Sequence, residues 1–357
     1  MTEMRPLVSV VLPAYNEAGV LAENLRVLQD YLHTLDHKYR WEVLIVNDGS
    51  RDDTATVAEA QRTHYDNVRV LHHPANFGLG QAFQTAFRQS RGDYVVTLDI
   101  DLSYAPEHIG ALLDKVTEGG SKLVLASPYM KGGQISNVPW LRRTLSIWAN
   151  RFLSLVAHGN LSTLTCMVRA YDGPYIRSLT LRSTGMDVMP ETIYKSMIMR
   201  ARMHQIPAHL DWSRQIKVGV KRRSSMRIVR QIFATLLSGF LFRPFMFFVL
   251  PGLVLLGFAL YTNAWMVAHV VDAYSALAGQ VDSGRFSVAV GKAYAEFPHT
   301  FIVGFLSLML AVQLISLGIL ALQSKSYFEE IFHLGSSVRR AVERRESPDS
   351  RSGKSPD

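Results

Sequence analysis

Two long stretches of this chain carry no Asp, Glu, Lys or Arg, and they restrict its architecture more than any other feature. Phe245 to Trp265 reads FMFFVLPGLVLLGFALYTNAW, and Phe297 to Gln323 reads FPHTFIVGFLSLMLAVQLISLGILALQ. About 20 apolar residues, each rising about 1.5 Å in a helix, cross a bilayer core. A buried core helix rarely needs that length without one charge. Pro251 and Gly252 are compatible with a membrane helix, where neighbouring helices satisfy the backbone groups they release. The reading is an apolar hairpin over residues 244–324, with spans at about 245–267 and 299–322.

Charge then orients the hairpin. Lys217, Lys221, Arg222, Arg223, Arg227, Arg230 and Arg243 precede the first span, and Lys325, Arg339, Arg340, Arg344 and Arg345 follow the second. The loop between them, Val271 to Glu296, has only Arg285 and Lys292 against Asp272, Asp282 and Glu296. Both ends are therefore expected on the cytoplasmic side of the inner membrane. No secretory leader is visible before Pro13. Residues 216–243 read as a basic juxtamembrane segment and 325–357 as a cytoplasmic tail whose end is disordered. Two spans are too few for a solute pathway, so they serve as an anchor.

The net charge of +8 suits an anionic partner. The excess clusters beside the spans and no nucleic-acid module is present, so nucleic acid is not the expected partner. One cysteine, Cys166, excludes an internal disulfide and a cysteine-rich metal site. The two spans leave helix surface that a homo-oligomer could pack, but no residue decides it.

Residues 1–215 alternate strands and helices. LVSVVLPAY, WEVLIVNDGS, NVRVLHHP and DYVVTLDID read as strands. EAGVLAENLRVLQDYLHTL, the acid-capped DDTATVAEAQRTH and GQAFQTAFRQSR read as the intervening helices. That alternation implies right-handed crossovers and a mostly parallel sheet, with ligands at the carboxyl ends of the strands. Four polar groups fall at that edge: Tyr15, Asn16 and Glu17; Asn47, Asp48 and Ser50; Asn76, Gly78 and Gly80; Asp99 and Asp101. Singly, each is an ordinary turn or cap. Paired carboxylates one residue apart at a strand end suit a hard divalent cation that keeps positions for phosphate oxygens. Neither a GxGxxG nor a GxxxxGK[ST] loop is present to hold phosphate through backbone amides.

VSVVLPAYNE, EVLIVNDGS, NFGLGQAF and TLDIDLSYAPE resemble, in order and spacing, the nucleotide-sugar domain of family 2 glycosyltransferases. The nearest branch comprises dolichol-phosphate mannose synthases and polyprenyl (bactoprenol) phosphate glycosyltransferases. The resemblance implies an α/β, Rossmann-like GT-A domain with a mostly parallel sheet, followed by two C-terminal transmembrane helices. It implies that Pro13, Tyr15 and Glu17 hold the nucleoside end of the donor, with Asp48 contacting the base and Gly80 on the donor side. Asp99 and Asp101 match the pair at the donor diphosphate and its Mg2+ or Mn2+. Ser103 stands where a further ligand, often Gln, is found. Pro128 replaces an arginine of a Ser-Arg-Tyr motif. Arg142, Arg143 and Ser146 match an Arg-Arg-x-x-Ser pattern for the acceptor phosphate, and Arg222 and Arg223 lie in a loosely matching basic motif.

The expected reaction is transfer of one sugar, with inversion, from a GDP-mannose- or UDP-glucose-type donor to polyprenyl phosphate at the membrane. A phosphate acceptor is already ionised and needs no base, whereas a lipid alcohol would need one. For the alcohol, Asp187 and Glu191 are better candidates than His72, His73 or His108. Arg142 is the arginine both lines of reasoning select: PWLRRTLSIWANRFLSLV reads as an aromatic, basic helix for the headgroup layer, with Leu141, Leu145, Trp148, Phe152 and Leu155 on one face and Arg142, Arg143, Asn150 and Arg151 elsewhere. A processive polymerase is disfavoured by the missing Gln-x-x-Arg-Trp motif. An inactive scaffold on the same fold stays open through Ser103 and Pro128.

Overall fold

The computed structural model describes residues 5–140, 161–213, 244–279 and 284–346, with single positions between 143 and 151. It divides into two units, Met1–Gly239 and Phe240–Asp357.

The first unit is built on strands β1 (Leu7–Ala14), β2 (Arg40–Asn47), β3 (Val68–His72), β4 (Tyr94–Thr97), β5 (Leu123–Ser127), β7 (Arg169–Asp172) and β8 (Met203–Pro207), in the order β3-β2-β1-β4-β7-β5-β8. A separate parallel pair joins β6 (Gln134–Ser136) to β9 (His209–Asp211). β1, β2, β3 and β4 are mutually parallel, as are β5 and β8; β7 runs antiparallel between β4 and β5. Helices α1 (Ala18–Thr34), α2 (Thr54–His64), α3 (Leu79–Gln89), α4 (Glu107–Glu118), α5 (Gly173–Ser178) and α6 (Val188–Ile198) accompany the sheet.

The apolar strands are buried on both faces, as sheets covered by crossover helices require. In β1, Val8, Val10, Val11 and Leu12 are fully buried; α1 adds Leu21, Leu25, Leu28 and Leu32 at helical spacing. Polar groups inside this layer are paired. Ser9 donates to Glu42 Oε2 at 2.6 Å, Gly92 N donates to Ser9 Oγ at 2.9 Å, and Arg69 pairs with the same Glu42 carboxylate. α2 starts on acids, as the sequence leads one to expect: Asp53 stands at the N-cap, and the neighbouring Asp52 accepts the Thr54 N–H at 3.1 Å.

The second unit holds α7 (Pro244–Ala276), α8 (Arg285–Glu296) and α9 (Pro298–Glu346). α7 and α9 pack antiparallel. A Cβ on Gly252 would lie 2.9 Å from Ile315 Cγ1 and one on Gly318 2.3 Å from Val249 Cγ2, while Asn263 Nδ2 donates to Gly304 O at 3.0 Å. Phe247–Ala276 and Pro298–Gly335 are long and apolar enough to cross a membrane. Only 11% and 17% of their most apolar windows are buried within the chain, so that surface faces outward rather than into a core. α9 runs on past the expected end of the second span, and α8 occupies what reads in the sequence as a loop.

Candidate active site

The loops after β1 and β2 are bonded to one another. Asn16, whose φ of 57° is unusual outside glycine, donates its N–H to Ser50 Oγ at 3.0 Å and accepts from Arg51 N at 2.8 Å. Glu17 N donates to Thr54 Oγ1 at 2.8 Å, and Ala18 N to Asp52 Oδ2 at 3.2 Å. Burial pushes the Asp52 carboxyl up, but the Thr54 hydroxyl and the N–H groups of Thr54 and Ala18 outweigh it and hold the group below the ordinary carboxylate value. Pro13 is half-buried at the end of β1 and Tyr15 is exposed beyond it.

Asp48 organises the next loop. It is 4% exposed; its Oδ1 accepts from His73 Nδ1 at 2.7 Å and Phe77 N at 3.0 Å, and its Oδ2 from Gly78 N at 2.8 Å. His73 Nε2 lies 2.9 Å from Thr85 Oγ1. The Asp48 carboxylate is therefore occupied in shaping residues 73–78, a use that the sequence motif does not reveal. Gly80 is also committed internally. Its N–H donates to Thr184 O at 2.7 Å, and a Cβ there would fall 2.1 Å from Ser183 O. Its missing side chain admits the 183–184 backbone.

β4 ends at Thr97, and the following turn carries the two acids, both partly exposed at the carboxyl edge of the sheet. The turn is held from below and behind: Ile100 is buried and its carbonyl accepts from Asn24 Nδ2 of α1 at 2.9 Å. Ser103 N donates to Asp101 Oδ1 at 2.9 Å. Ser103 itself is buried, and its carbonyl accepts from Asp211 N at 2.9 Å. Among the described residues no cluster of three or more His, Cys, Asp or Glu could hold a metal by itself. Two oxygen donors with room for ligand oxygens fit Mg2+ or Mn2+, which are bound through one or two carboxylates plus phosphate.

A cavity of about 750 Å³ opens beyond β5, lined among others by Tyr129, Gln134, Arg143, Ile147, Arg151 and Ser162. Arg143, Ile147 and Arg151 recur at helical spacing on one face. The described residues here are helical, and Arg143 N donates to Pro139 O at 2.9 Å. Tyr129 and Ser146 hydroxyls lie 2.5 Å apart, and burial raises the Tyr129 phenol. Asn150, expected off the apolar face, is buried. Its Oδ1 accepts from Thr163 Oγ1 and Leu164 N at 3.3 Å, tying this segment to the 163–165 loop. Pro128 lines the cavity where the resemblance leads one to expect an arginine. Trp140 and Trp148 are 77% and 67% exposed. Arg142, Arg222 and Arg223 lie outside the described residues, as do Leu141, Leu145, Phe152 and Leu155.

The candidate bases are largely committed to structure. Glu191 accepts from Arg182 N at 3.0 Å and Ser183 N at 2.8 Å and pairs with Lys195. Burial pushes its carboxyl up, yet Lys195 and the Ser183 N–H prevail and leave it below the ordinary value. Asp187 is exposed at the start of α6. His72 bridges Glu59 and Asn47 at 2.9 and 3.0 Å, and His108 accepts from His209 N at 3.0 Å.

Residues 9–178 match the family model for glycosyl transferase family 2. A polyprenol monophosphomannose synthase from Mycolicibacterium smegmatis is 34% identical over 176 residues, covering 48% of this chain and 64% of that relative. The chain thus spans somewhat under two thirds of that relative's length. Among solved structures, glucosyl-3-phosphoglycerate synthase of M. tuberculosis is 22% identical, with 66% of this chain and 80% of that one covered at a TM-score of 0.48. A mannosyltransferase from Pyrobaculum calidifontis in complex with GDP-Man and Mn2+ is 16% identical, covering 94% and 87% at a TM-score of 0.42. Over residues 9–178 the chain is thus similar to glycosyl transferase family 2.

Proposed function

We propose that the chain is a membrane-anchored, metal-dependent, inverting glycosyltransferase that moves a single sugar, mannose in the favoured reading, from a nucleotide donor to polyprenyl phosphate at the cytoplasmic face. The observation that carries this is the meeting of the loops after β1, β2, β3 and β4 at one edge of a parallel sheet, with Asp99 and Asp101 partly exposed there. The polyprenol monophosphomannose synthase among its relatives supports both the sugar and the acceptor.

In this reading Pro13, Tyr15, Glu17 and Asp48 serve the nucleoside end. Asp99 and Asp101, with Ser103 beside them, would hold Mg2+ or Mn2+, which when bound supplies positive charge to the leaving diphosphate. Arg143, with Arg142, Arg222 and Arg223, docks the acceptor. A phosphate oxygen attacks the anomeric carbon as its bond to the donor diphosphate breaks, and the configuration inverts. No proton has to be removed, which accords with the engagement of Glu191 and the three histidines elsewhere. Arginine suits the docking task because its planar fork binds phosphate through two parallel bonds.

The test is transfer of label from a panel of nucleotide sugars to a short polyprenyl phosphate in detergent. It is run with Mg2+ or Mn2+ and with EDTA, on the native chain and on Asp101→Ala. The expected result is a metal-dependent, acid-labile lipid product that the variant fails to form. Donor binding without product from any sugar would overturn the phosphate acceptor and favour a lipid alcohol.

A further inference from the structure

The loop after β3 exposes an aromatic ring. Phe77 is 48% exposed. A single exposed apolar side chain is ordinary on a protein surface, so exposure alone carries nothing. Here it coincides with unusual fixation. One buried carboxylate, Asp48, takes the N–H of Phe77 at 3.0 Å and that of Gly78 at 2.8 Å. Gly78 has a φ of 94°, and a Cβ on it would meet Thr184 O at 2.5 Å. Upstream, the Ala75–Asn76 backbone lies where a Cβ on Gly49 would stand, 2.2 Å from Ala75 C. The chain is thus held on both sides of Phe77. Its ring rests at 5.4 Å, tilted by 48°, on the His73 imidazole, which the same Asp48 orients.

Asp48 also links this loop to β1, since its N–H donates to Ala14 O at 3.0 Å. The next residue is Tyr15, itself 38% exposed. Two exposed rings are therefore rooted on either side of one buried aspartate, at the edge where the donor is placed. Rigid aromatic faces open to solvent are what a flat heteroaromatic group stacks on. We propose that Phe77 is the stacking platform for the nucleobase of the donor, with Tyr15 on the opposite side. The inference rests on the nucleotide-sugar reading above. Because every base has a π-face, Phe77 supplies affinity for the nucleoside and little choice between bases.

The experiment titrates GDP and UDP, each with Mn2+, into the full chain in detergent by calorimetry, with inorganic pyrophosphate as the probe that lacks a base. Phe77→Ala is expected to weaken the nucleotide that binds by about 5- to 100-fold, the range of a lost base–aromatic stack. Pyrophosphate binding should not change. Phe77→Trp should keep nucleotide affinity, and its added emission should respond to nucleotide but not to pyrophosphate. Nucleotide affinity unchanged in Phe77→Ala would overturn the platform while leaving the transferase reading intact. Equal losses for nucleotide and pyrophosphate would also overturn it, since a collapsed loop, not a missing stack, would be the cause. If the native chain binds neither GDP nor UDP, both readings fall.

Discussion

Arg169 is the largest fully buried side chain among the described residues, and its removal gives the sharpest test of how the first unit is held together. It sits on β7 opposite Thr97 of β4 and Leu125 of β5. Its guanidinium donates to three main-chain carbonyls: Nε to Cys166 O at 2.7 Å, Nη1 to Met189 O at 2.9 Å, and Nη2 to Leu164 O at 2.9 Å. Among the described residues, no carboxylate is bonded to it. A cation buried this way costs several kcal/mol in lost hydration, about what three charge-assisted bonds at roughly 1.5–3 kcal/mol each can offset. Arg169→Met keeps much of the volume and removes all three donors. It strands carbonyls of the 164–166 loop but also relieves the buried charge. Each carbonyl left without its donor costs about 1–3 kcal/mol, and the relieved desolvation offsets part of the three, so a net loss of about 3–5 kcal/mol is expected. At about 2–4 °C per kcal/mol for a unit of this size, the melting temperature should fall by roughly 6–20 °C. Arg169→Lys keeps the charge on a point donor that cannot span three acceptors, and should fall between the two. Thermal unfolding followed by intrinsic fluorescence in detergent reads both. Arg169→Met melting at or above the native temperature would refute the reasoning, because the desolvation cost would then exceed the bonds that the guanidinium makes.

Three further outcomes are expected. Gly80→Ala drives a Cβ to 2.1 Å from Ser183 O and 2.7 Å from Thr184 C, both main-chain atoms, so it should cost about 2–4 kcal/mol, read as a lower urea midpoint. The Glu191 carboxyl, held below its ordinary 4.5 in the fold, contributes stability that is full above that value and lost as pH falls through the lower folded one. Glu191→Gln should accordingly flatten the acid side of the plot of melting temperature against pH. Arg143→Ala should raise the KM for polyprenyl phosphate about 10- to 100-fold with little change in kcat, as expected for one charge-assisted bond made equally in ground and transition states. An unchanged KM would remove Arg143 from the acceptor site.

The apolar spans, the β-α alternation through β4 and the edge position of Asp99 and Asp101 are legible in the sequence because each depends on local pattern. Uncharged length, helical spacing and the end of an apolar run are properties of neighbouring residues. β7 is different: nothing in RAYD announces that it will enter antiparallel between β4 and β5. Asp48, Gly80 and Glu191 all stand in recognisable motifs, yet their partners are set by the tertiary structure. Asp48 is bonded to a loop about 30 residues on, and Gln84 of α3 donates to Ser183 O across 99 residues. Phe77 reads in the sequence as one more residue of a glycine-containing loop. What fixes its main chain is the Asp48 carboxylate just after β2 and the Thr184 backbone that precedes α6. The sequence alone determines which residues are apolar, charged or able to turn the chain. Which donor meets which acceptor is decided only by the folded backbone, because a buried hydrogen bond depends on a few tenths of an ångström between residues far apart in the chain.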